Sequence, residues 1–373
     1  MINPFITNGY AGAKYFCDRE QETQNILSML QNGNNLAVIS PRRLGKTDLL
    51  RHCFSQEDIK KNYYCFIIDI YATRSLSDLV NKMGKEILDV LKSKGKKALT
   101  TFVQSLKSLK SEITFDINGN PSWSVGLGQI SNPETTLDEI FQYLNAADKR
   151  CFVAIDEFQQ ITKYAESNVE ATLRTYVQYC SNAQFVFAGS QRHLMGTMFT
   201  SPSRPFYQSV TVMNLEPIPL EKYKAFAQKL FRINNKQLDT QVVDLLYNQF
   251  DGITFYLQKV LNILFMNTEV GETCNAEMID AAVKYIIDFT ATTYDDLLYQ
   301  LPDKQKQVLV AISKTGKAKN ILSQKFVRFT GLTSSSIKSA VKGLLEKDLV
   351  TVNKDIYQVY DKFFERWIKN YNI

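Results

Sequence analysis

Three residues near the start of the chain, Gly45, Lys46 and Thr47, are of the types that bind the phosphates of a nucleotide. They match the end of the phosphate-loop pattern, in which a glycine, four residues and Gly-Lys-Ser/Thr link a strand to a helix. Lys46 would reach the β- and γ-phosphates, and the Thr47 hydroxyl would hold Mg²⁺. Ser40 stands where the pattern has its first glycine. The alternative is a Gly-Lys-Thr helix start without a ligand.

Two carboxylates, Asp156 and Glu157, directly follow the apolar run 151–155. Such a run is typical of a central parallel strand that ends at a ligand crevice. Asp156 would hold Mg²⁺ together with Thr47, and Glu157 would polarise a water for attack on the γ-phosphate. An acidic helix start is the alternative. Because both motifs occur in order, each after its own strand, the sequence predicts an ATP site with Mg²⁺.

The whole loop is expected to contact the nucleotide, because successive backbone N–H groups and the positive end of the following helix attract phosphate. The residues assigned to this contact are Pro41, Arg42, Arg43, Leu44, Gly45, Lys46, Thr47 and Asp48. The sequence places them between the apolar run 36–39 and a helix-like segment that starts at Asp48.

The elements that must position these residues form an alternating α/β pattern. Buried parallel strands are predicted from apolar runs at 36–39, 63–70, 151–155, 184–189 and 210–215. Helical patterns cover 75–110, 134–147 and 166–181. The pattern switches to period two at about 111–130, where apolar residues alternate with polar ones on both sides of a turn. The apolar residues are Ile113, Phe115 and Ile117 before the turn and Trp123, Val125 and Leu127 after it. This predicts a hairpin inserted into the core.

Polar residues that follow strand 184–189 extend the candidate site. Ser190 or Gln191 would sense the γ-phosphate, unless they form only a turn. Arg192 and Arg204 lie between this strand and the next, and either would stabilise charge in the transition state. A surface salt bridge or a solvent-facing role is the alternative for each arginine.

The remaining chain divides into a helical segment and a basic tail. Apolar residues recur at helical spacing over 216–300, which predicts a helical lid. Residues 301–373 carry three helical patterns and a hairpin, the arrangement of a winged helix-turn-helix domain. The predicted domains are therefore 1–215, 216–300 and 301–373. Candidate DNA contacts on helix 334–347 and the wing are Ser335, Ser336, Lys338, Lys342 and Lys354.

The positive charge of the chain is concentrated in this tail. The net charge is +6, and residues 301–373 contain 14 basic and 6 acidic residues, which gives +8. Residues 1–300 therefore carry −2. This asymmetry favours double-stranded DNA or another polyanion as a partner. A solvated lysine-rich surface is the alternative, and winged helices also bind proteins.

Composition argues against several other classes of protein. The six cysteines are scattered, which suits reduced thiols in a cytoplasmic protein. With only two histidines, a His-rich metal site or a His-based triad has little support. The sequence shows neither a signal peptide nor an apolar run of ~18–20 residues, so a membrane span is not expected.

The chain resembles the archaeal-type ATPases, AAA+-like proteins within or near the STAND group of signalling NTPases, over nearly all of its length. The matching segments are Asn3-Pro4-Phe5, Phe16 with Arg19 and Glu20, the loop 40–47, Ile155 to Gln159, Gly189-Ser190, and Tyr357, Val359 and Asp361 near Trp367. The resemblance implies a P-loop NTPase core of five strands, a helical lid and a C-terminal winged helix. It also implies that Arg19 lies near the adenine.

Two departures from the family pattern concern the lid and the arginine. Relatives often have Gly-x-Pro in the lid where this chain has Gly252-Ile253-Thr254. The frequent arginine after the sensor region corresponds here only to Arg204, a few positions displaced.

Two functional hypotheses follow from these features. The first is a slow ATPase that acts as a molecular switch and couples its nucleotide state to the winged helix. The second is a module that holds ATP or ADP without hydrolysis and engages DNA or a protein. Both a monomer and a nucleotide-driven oligomer remain open.

Overall fold

The computed structural model describes residues 3–109, 113–116, 121–126 and 130–370. The chain divides into two compact units. The α/β unit comprises Asn8–Tyr223 and Ile253–Phe255, and the helical unit comprises Met1–Thr7, Lys224–Gly252 and Tyr256–Ile373. This grouping keeps the helical segment and the tail together, so the proposed boundary near residue 300 stays a prediction.

The α/β unit contains seven of the strands and eight of the helices in the described ranges. The strands are β1 (Leu36–Ile39), β2 (Tyr64–Asp69), β3 (Ile113–Phe115), β4 (Pro121–Trp123), β5 (Cys151–Asp156), β6 (Ala183–Gly189) and β7 (Thr211–Asn214). The helices are α1 (Glu20–Gln31), α2 (Lys46–Ser55), α3 (Glu57–Asn62), α4 (Leu76–Lys92), α5 (Lys96–Ser105), α6 (Pro133–Ala146), α7 (Val169–Tyr179) and α8 (Arg192–Thr200). Three short 3-10 helices cover Ala13–Tyr15, Lys107–Leu109 and Phe158–Lys163.

The central sheet has five parallel strands in the order β2-β5-β6-β1-β7. The predicted α/β class with a parallel core is therefore confirmed, although the order of the strands was not predicted. Because β6 lies between β1 and β5, its polar end lies between the phosphate-type loop and the two acids. The carboxyl ends of parallel strands share one edge, where ligands bind in such sheets.

Alternating side chains of the strands pack into two separate hydrophobic cores, one on each face of the sheet. In β5, Val153 and Ile155 join the core formed with α4 to α8. Phe152 and Ala154 join the core formed with α1 and α2. This period-two division explains why β1 and residues 151–155 of β5 are apolar at every position, as expected for a sheet covered by helices on both faces.

The prediction of one helical segment over 75–110 is wrong, because the segment is interrupted. The structure has two helices, α4 and α5, followed by a 3-10 turn. The break falls at Ser93 to Gly95, where Gly95 takes a positive φ of 107°. Glycine reaches this conformation at little steric cost, so the chain turns there although the apolar pattern continues.

The predicted insertion is visible as the antiparallel pair β3 and β4, while Ile117 and Leu127 lie outside the described residues. Its Trp123 is docked on α4. The indole Nε1 donates to Asn81 Oδ1 at 2.9 Å, and Asn81 Nδ2 donates to the Gly126 carbonyl at 2.6 Å. Trp123 also lies against Gly84, where any Cβ would collide with the ring. Trp123 thus attaches the hairpin to α4, because Gly84 leaves room there for the indole ring.

A Gly84→Ala substitution is therefore expected to displace Trp123 and destabilise the α/β unit by about 1–3 kcal/mol, the usual cost of overpacking. Tryptophan fluorescence can report this, because the chain has two tryptophans and Trp367→Phe leaves Trp123 alone. In that background Gly84→Ala should shift the emission to the red. The control is Gly196→Ala in α8, where a Cβ meets no atom within 4 Å. Unchanged emission in both variants would show that Trp123 is not seated on Gly84.

The helical unit contains eight helices within the described residues, the last four of them in a winged helix. They are α9 (Leu220–Arg232), α10 (Thr240–Gln249), α11 (Thr254–Asn267), α12 (Met278–Tyr299), α13 (Asp303–Thr315), α14 (Gln324–Thr330), α15 (Ser334–Glu346) and α16 (Lys362–Asn370). The strands are β8 (Gln237–Leu238), β9 (Thr273–Cys274), β10 (Ala318–Lys319), β11 (Val350–Asn353) and β12 (Ile356–Val359).

The predicted winged helix-turn-helix fold is confirmed in the tail. Strands β10, β12 and β11 form an antiparallel sheet next to α13, α14 and α15. The Thr333 side chain caps α15 by accepting a hydrogen bond from Ser336 N, and Gly331 ends α14 in the left-handed region. These are the turn and cap residues that a tight helix-turn-helix requires.

None of the described helices is both long and apolar enough to cross a membrane.

Candidate nucleotide-binding site

The loop between β1 and α2 adopts the conformation that its sequence suggests. Gly45 has a φ of 84° and precedes the first residue of α2, which is Lys46. Ser40, at the position of the missing glycine, is fully buried, and its N–H donates to the Gly189 carbonyl at 3.2 Å. Its φ lies outside the left-handed region. A serine therefore fits at this position without backbone strain, and the departure from the pattern has no structural cost.

The loop and the two acids are in direct contact. Lys46 Nζ lies 2.7 Å from Asp156 Oδ1 and 3.0 Å from Glu157 Oε1. The Thr47 hydroxyl donates to Asp156 Oδ2. Only 6% of the Lys46 side chain and 3% of the Asp156 side chain are exposed. The structure thus brings together the four residues that the sequence singled out, and the cluster carries two carboxylates against one ammonium.

Glu157 is also held by two further hydrogen bonds. Its other oxygen, Oε2, accepts from Ser190 Oγ at 2.7 Å and from Gln159 Nε2 at 2.5 Å. Burial by itself raises the pKa of Glu157, but the Lys46 charge and the hydrogen bonds from Ser190 and Gln159 outweigh burial, so its pKa lies below the ordinary value. The residue is therefore an ionised carboxylate at neutral pH, the form that can accept a proton.

The backbone at Glu157 also contributes to this placement. Its φ of 57° lies in the left-handed region, and its N–H donates to Asp156 Oδ1 at 2.9 Å. The following residue, Phe158, is fully buried among the rings of Phe187, Phe199 and Phe206. A non-glycine residue in this conformation needs such support from its surroundings. The buried phenylalanine anchors the turn that directs Glu157 to Lys46.

Gln159 is a site residue that reasoning from the sequence did not assign. It is 3% exposed, and its amide donates to Glu157 while Oε1 has no hydrogen-bond partner among the described atoms. It packs against Gly189, where a Cβ would collide with the amide and with Met195. Its position two residues after Glu157 was the available signal in the sequence.

The other predicted loop residues are placed around this centre. The Arg42 Nε donates to Ser190 Oγ at 3.2 Å. Arg43 has a positive φ of 69°, and its guanidinium lies 4.7 Å from the centroid of Phe255. Leu44 is buried, while the Pro41 carbonyl accepts from Ser40 Oγ. The loop is therefore fixed by contacts at both its ends.

Asp48 lies in the first turn of α2 and is partly exposed. Burial raises its pKa, the Arg51 charge lowers it and the Asp156 charge raises it, so the pKa of this carboxyl lies above the ordinary value. Its negative charge near Asp156 adds to the acidic character of this edge of the sheet.

Arg19 is a buried cation at the start of α1, which packs against α2. It is 3% exposed, and its Nη1 lies 2.6 Å from Glu22 Oε1. The second terminal nitrogen, Nη2, has no hydrogen-bond partner within the described part of the chain. A buried donor without an acceptor is unfavourable, so this position suits a ligand atom.

The two arginines after β6 form ion pairs with glutamates. Arg204 is bonded to Glu170 on α7, and Arg192 Nη2 lies 3.0 Å from Glu216 Oε1. Burial raises the pKa of Glu170, whereas the charge and the hydrogen bond of Arg204 lower it, and the pKa stays above the ordinary value. The catalytic role assigned to Arg204 from sequence stays a prediction.

The candidate DNA contacts lie on the winged helix. Lys338 and Lys342 are exposed on α15, with 80% of the Lys342 side chain accessible, and Ser336 lies in the first turn of that helix. Lys354 is exposed in the turn between β11 and β12 and has a φ of 46°. The helix and the wing therefore both present positive charge to solvent.

Comparison with known families and structures agrees with this geometry. The family model described as "ATPase domain predominantly from Archaea" matches residues 16–260, and the model described as "Probable winged helix domain" matches residues 292–370. A comparison with curated protein sequences gives no match.

Several solved structures share the fold at low sequence identity. The Walker-type ATPase PABY2304 of Pyrococcus abyssi is 16% identical, with 98% of this chain and 99% of that chain covered and a TM-score of 0.65. The ORC2 protein of Aeropyrum pernix, in ADPNP–ADP complexes, is 12% identical over 98% and 97% of the two chains, with a TM-score of 0.52. The ORC1 protein of Aeropyrum pernix, in complex with DNA, is 12% identical over 95% and 92%, with a TM-score of 0.52.

Proposed function

We propose, from the premise that this chain belongs to the family of ATPase domains found predominantly in Archaea, that it binds ATP at the loop between β1 and α2 and hydrolyses it to ADP and phosphate. The observation that carries the proposal is the buried contact of Lys46 with both Asp156 and Glu157. Lys46 begins the helix after β1, whereas Asp156 and Glu157 lie at the end of β5. Because β6 separates β1 from β5 in the sheet, the contact between these charges requires the folded sheet.

The residues present fit a magnesium ion. The Thr47 hydroxyl is bonded to the Asp156 carboxylate, so two oxygen donors of the kind Mg²⁺ prefers lie side by side. The cluster also has more negative than positive charge, which favours a cation. Thr47 and Asp156 would hold the ion, which would neutralise charge on the phosphate oxygens when bound.

The chain's own residues have separate roles in the proposed reaction. Lys46 and the N–H groups at the start of α2 bind phosphate oxygens. Glu157 orients a water and takes its proton, and Ser190 and Gln159 hold this carboxylate in place. The unpaired Nη2 of Arg19 binds an acceptor atom of the nucleotide. Each role uses a contact or an unsatisfied group that the structure contains.

The proposal is tested by measuring ATP binding and phosphate release with the full chain. A fluorescent ATP analogue should bind, and phosphate release should require Mg²⁺ and stop when EDTA is added. ATP binding without phosphate release would support the nucleotide site but contradict the proposed hydrolysis. Absence of both binding and release would overturn the proposal as a whole.

A second function, DNA binding by the winged helix, is favoured by the exposed Lys338 and Lys342 on α15 and by the charge of +8 in residues 301–373. A recognition helix with exposed lysines is the element that enters a groove in this fold. We further propose that the nucleotide state of the loop changes this DNA affinity, so that the chain acts as a switch. A protein partner at the same surface is the competing possibility.

The full chain is expected to bind a short DNA duplex with an association constant whose logarithm falls linearly with the logarithm of the salt concentration. The double variant Lys338→Ala/Lys342→Ala should reduce that slope by about 2, roughly one for each lost phosphate contact. The control is Lys284→Ala, an exposed lysine on α12 outside the winged helix. The slope and affinity are measured by fluorescence anisotropy, with the ATP analogue and with ADP. A slope that the double variant leaves unchanged would exclude α15 as the DNA contact.

A further inference from the structure

Strand β2 forms one edge of the central sheet, and part of its apolar surface is left uncovered there. Phe66 is fully buried on one face of the strand, whereas Cys65 and Ile67 on the other face are partly exposed. These two side chains, with Phe54 of α2 and Val90 of α4, form the apolar part of a cavity of about 330 Å³, which we call the β2 pocket. Because apolar surface gains free energy when it is removed from water, the pocket favours a ligand with an apolar body.

Three positively charged side chains surround the β2 pocket. They are Arg51 on α2, Lys60 on α3 and Lys94 shortly after the end of α4. Two serines complete the lining, and none of the described residues that line the pocket is acidic. Three cations around one apolar cavity create a local positive potential. The pocket therefore favours a ligand that also carries negative charge.

The charges of these three side chains are only weakly compensated by other groups of the chain. Lys94 Nζ donates to the Lys60 carbonyl at 2.9 Å, a neutral acceptor that uses one of the three donors of an ammonium. Arg51 Nη1 lies 3.7 Å from Asp48 Oδ1, and 49% of the Arg51 side chain is exposed, so this ion pair is weak. Lys60 is exposed, and its ammonium forms no ion pair within the described part of the chain. An anion can therefore contact these groups without breaking a strong pair.

We propose that the β2 pocket binds a small organic anion in which an apolar body carries one carboxylate or phosphate group. The volume of about 330 Å³ is at the lower end of the range of small-molecule sites, so the ligand is a single small molecule. The lining residues all belong to the α/β unit, and none of them is among the residues assigned to phosphate or Mg²⁺. The proposal therefore does not depend on the ATP hydrolysis proposed above.

The proposal is tested by calorimetric titration of the full chain, without nucleotide, with octanoate and with octyl phosphate below their micelle concentrations. At least one of them should bind, and the tighter of the two identifies the preferred anionic group. Octylammonium has the same hydrocarbon chain with the opposite charge, and acetate has the carboxylate without the chain. Neither should bind measurably, because each lacks one of the two features that the pocket recognises.

The double variant Arg51→Gln/Lys60→Gln should bind the tighter of the two anions about 10-fold more weakly, since each exposed charge pair contributes roughly 2–5-fold. The matched control is Lys92→Gln/Lys97→Gln, which removes two positive charges from exposed lysines of the same unit that do not line the pocket. Its affinity should equal that of the wild type. Circular dichroism checks that both variants are folded.

Cys65 reports whether the anion binds in the β2 pocket itself. It is partly exposed, whereas the other five cysteines are buried, so N-ethylmaleimide should alkylate it first. The bound anion should cover the thiol. At about ten times its Kd it should slow alkylation of Cys65 about 10-fold, as measured by mass spectrometry of the peptides. The protection should persist when a non-hydrolysable ATP analogue is present, because the two sites share no residue.

Several results would overturn the inference while leaving the nucleotide site untouched. One is the absence of binding of both octanoate and octyl phosphate. Another is equal binding of octylammonium, which would show that the cations are not used. Unchanged affinity in Arg51→Gln/Lys60→Gln, or binding that leaves the alkylation of Cys65 at its original rate, would place the anion elsewhere. Conversely, a chain that fails to bind or hydrolyse ATP would contradict the proposed function without affecting this titration.

Discussion

Phosphate release by the Glu157→Gln chain is expected to be about 10²–10⁴-fold slower than by the wild type, while ATP still binds. The substitution preserves the shape of the side chain but removes the negative charge that orients the water and takes its proton. Lys46, Thr47 and Asp156, which the phosphates and Mg²⁺ would contact, are unchanged. The measurement is steady-state phosphate release at saturating ATP, together with titration of a fluorescent ATP analogue.

The matched control for this substitution is Glu216→Gln, which makes the same chemical change at a side chain that is 66% exposed. Its rate should equal that of the wild type, because the pair of Glu216 with Arg192 lies on the surface and such pairs contribute little. Equal rates for Glu157→Gln and the wild type would show that Glu157 is not the base.

Removing Lys46 is expected to affect both nucleotide binding and stability. Lys46→Met keeps an unbranched side chain but leaves the buried Asp156 and partly buried Glu157 carboxylates without their ammonium. Breaking one partner of a buried ion pair typically costs about 3–5 kcal/mol, which for a unit of this size lowers Tm by roughly 6–20 °C. The affinity for ATP should fall by about 10–100-fold, the equivalent of one charge-assisted hydrogen bond.

The stability effect has an internal control in the double variant Lys46→Met/Asp156→Asn. Neutralising one carboxylate removes much of the uncompensated charge, so this variant should melt at a higher temperature than Lys46→Met alone. Both are measured by differential scanning calorimetry with EDTA, so that no divalent ion replaces the ammonium. A Lys46→Met chain that melts at the wild-type temperature would mean that the three charges do not meet in solution.

The local parts of the site could be predicted from the sequence, because their signals lie within a few residues of one another. Gly45 and Lys46 follow a short apolar strand, and Asp156 and Glu157 follow another. Each segment therefore specifies its own turn and its own strand end. The three helical patterns and the hairpin of residues 301–373 likewise predicted the winged helix, which the structure and the family match confirm.

The relations between distant segments were not predictable in the same way. That β6 lies between β1 and β5 depends on packing of the whole sheet, and it alone explains why Ser190 reaches both Arg42 and Glu157. Gln159 was missed for a related reason. Its importance depends on the absence of a side chain at Gly189, which is 30 positions away and belongs to another strand. A single sequence does not show which glycine faces which amide.

The most direct test is a crystal structure of the chain grown with Mg²⁺ and a non-hydrolysable ATP analogue. If the phosphates bind at the loop between β1 and α2, density for the β- and γ-phosphates will lie beside Lys46, with the ion next to Thr47 and Asp156. A triphosphate bound elsewhere, or Asp156 and Glu157 turned away from it, would contradict the nucleotide site on which the proposed function depends.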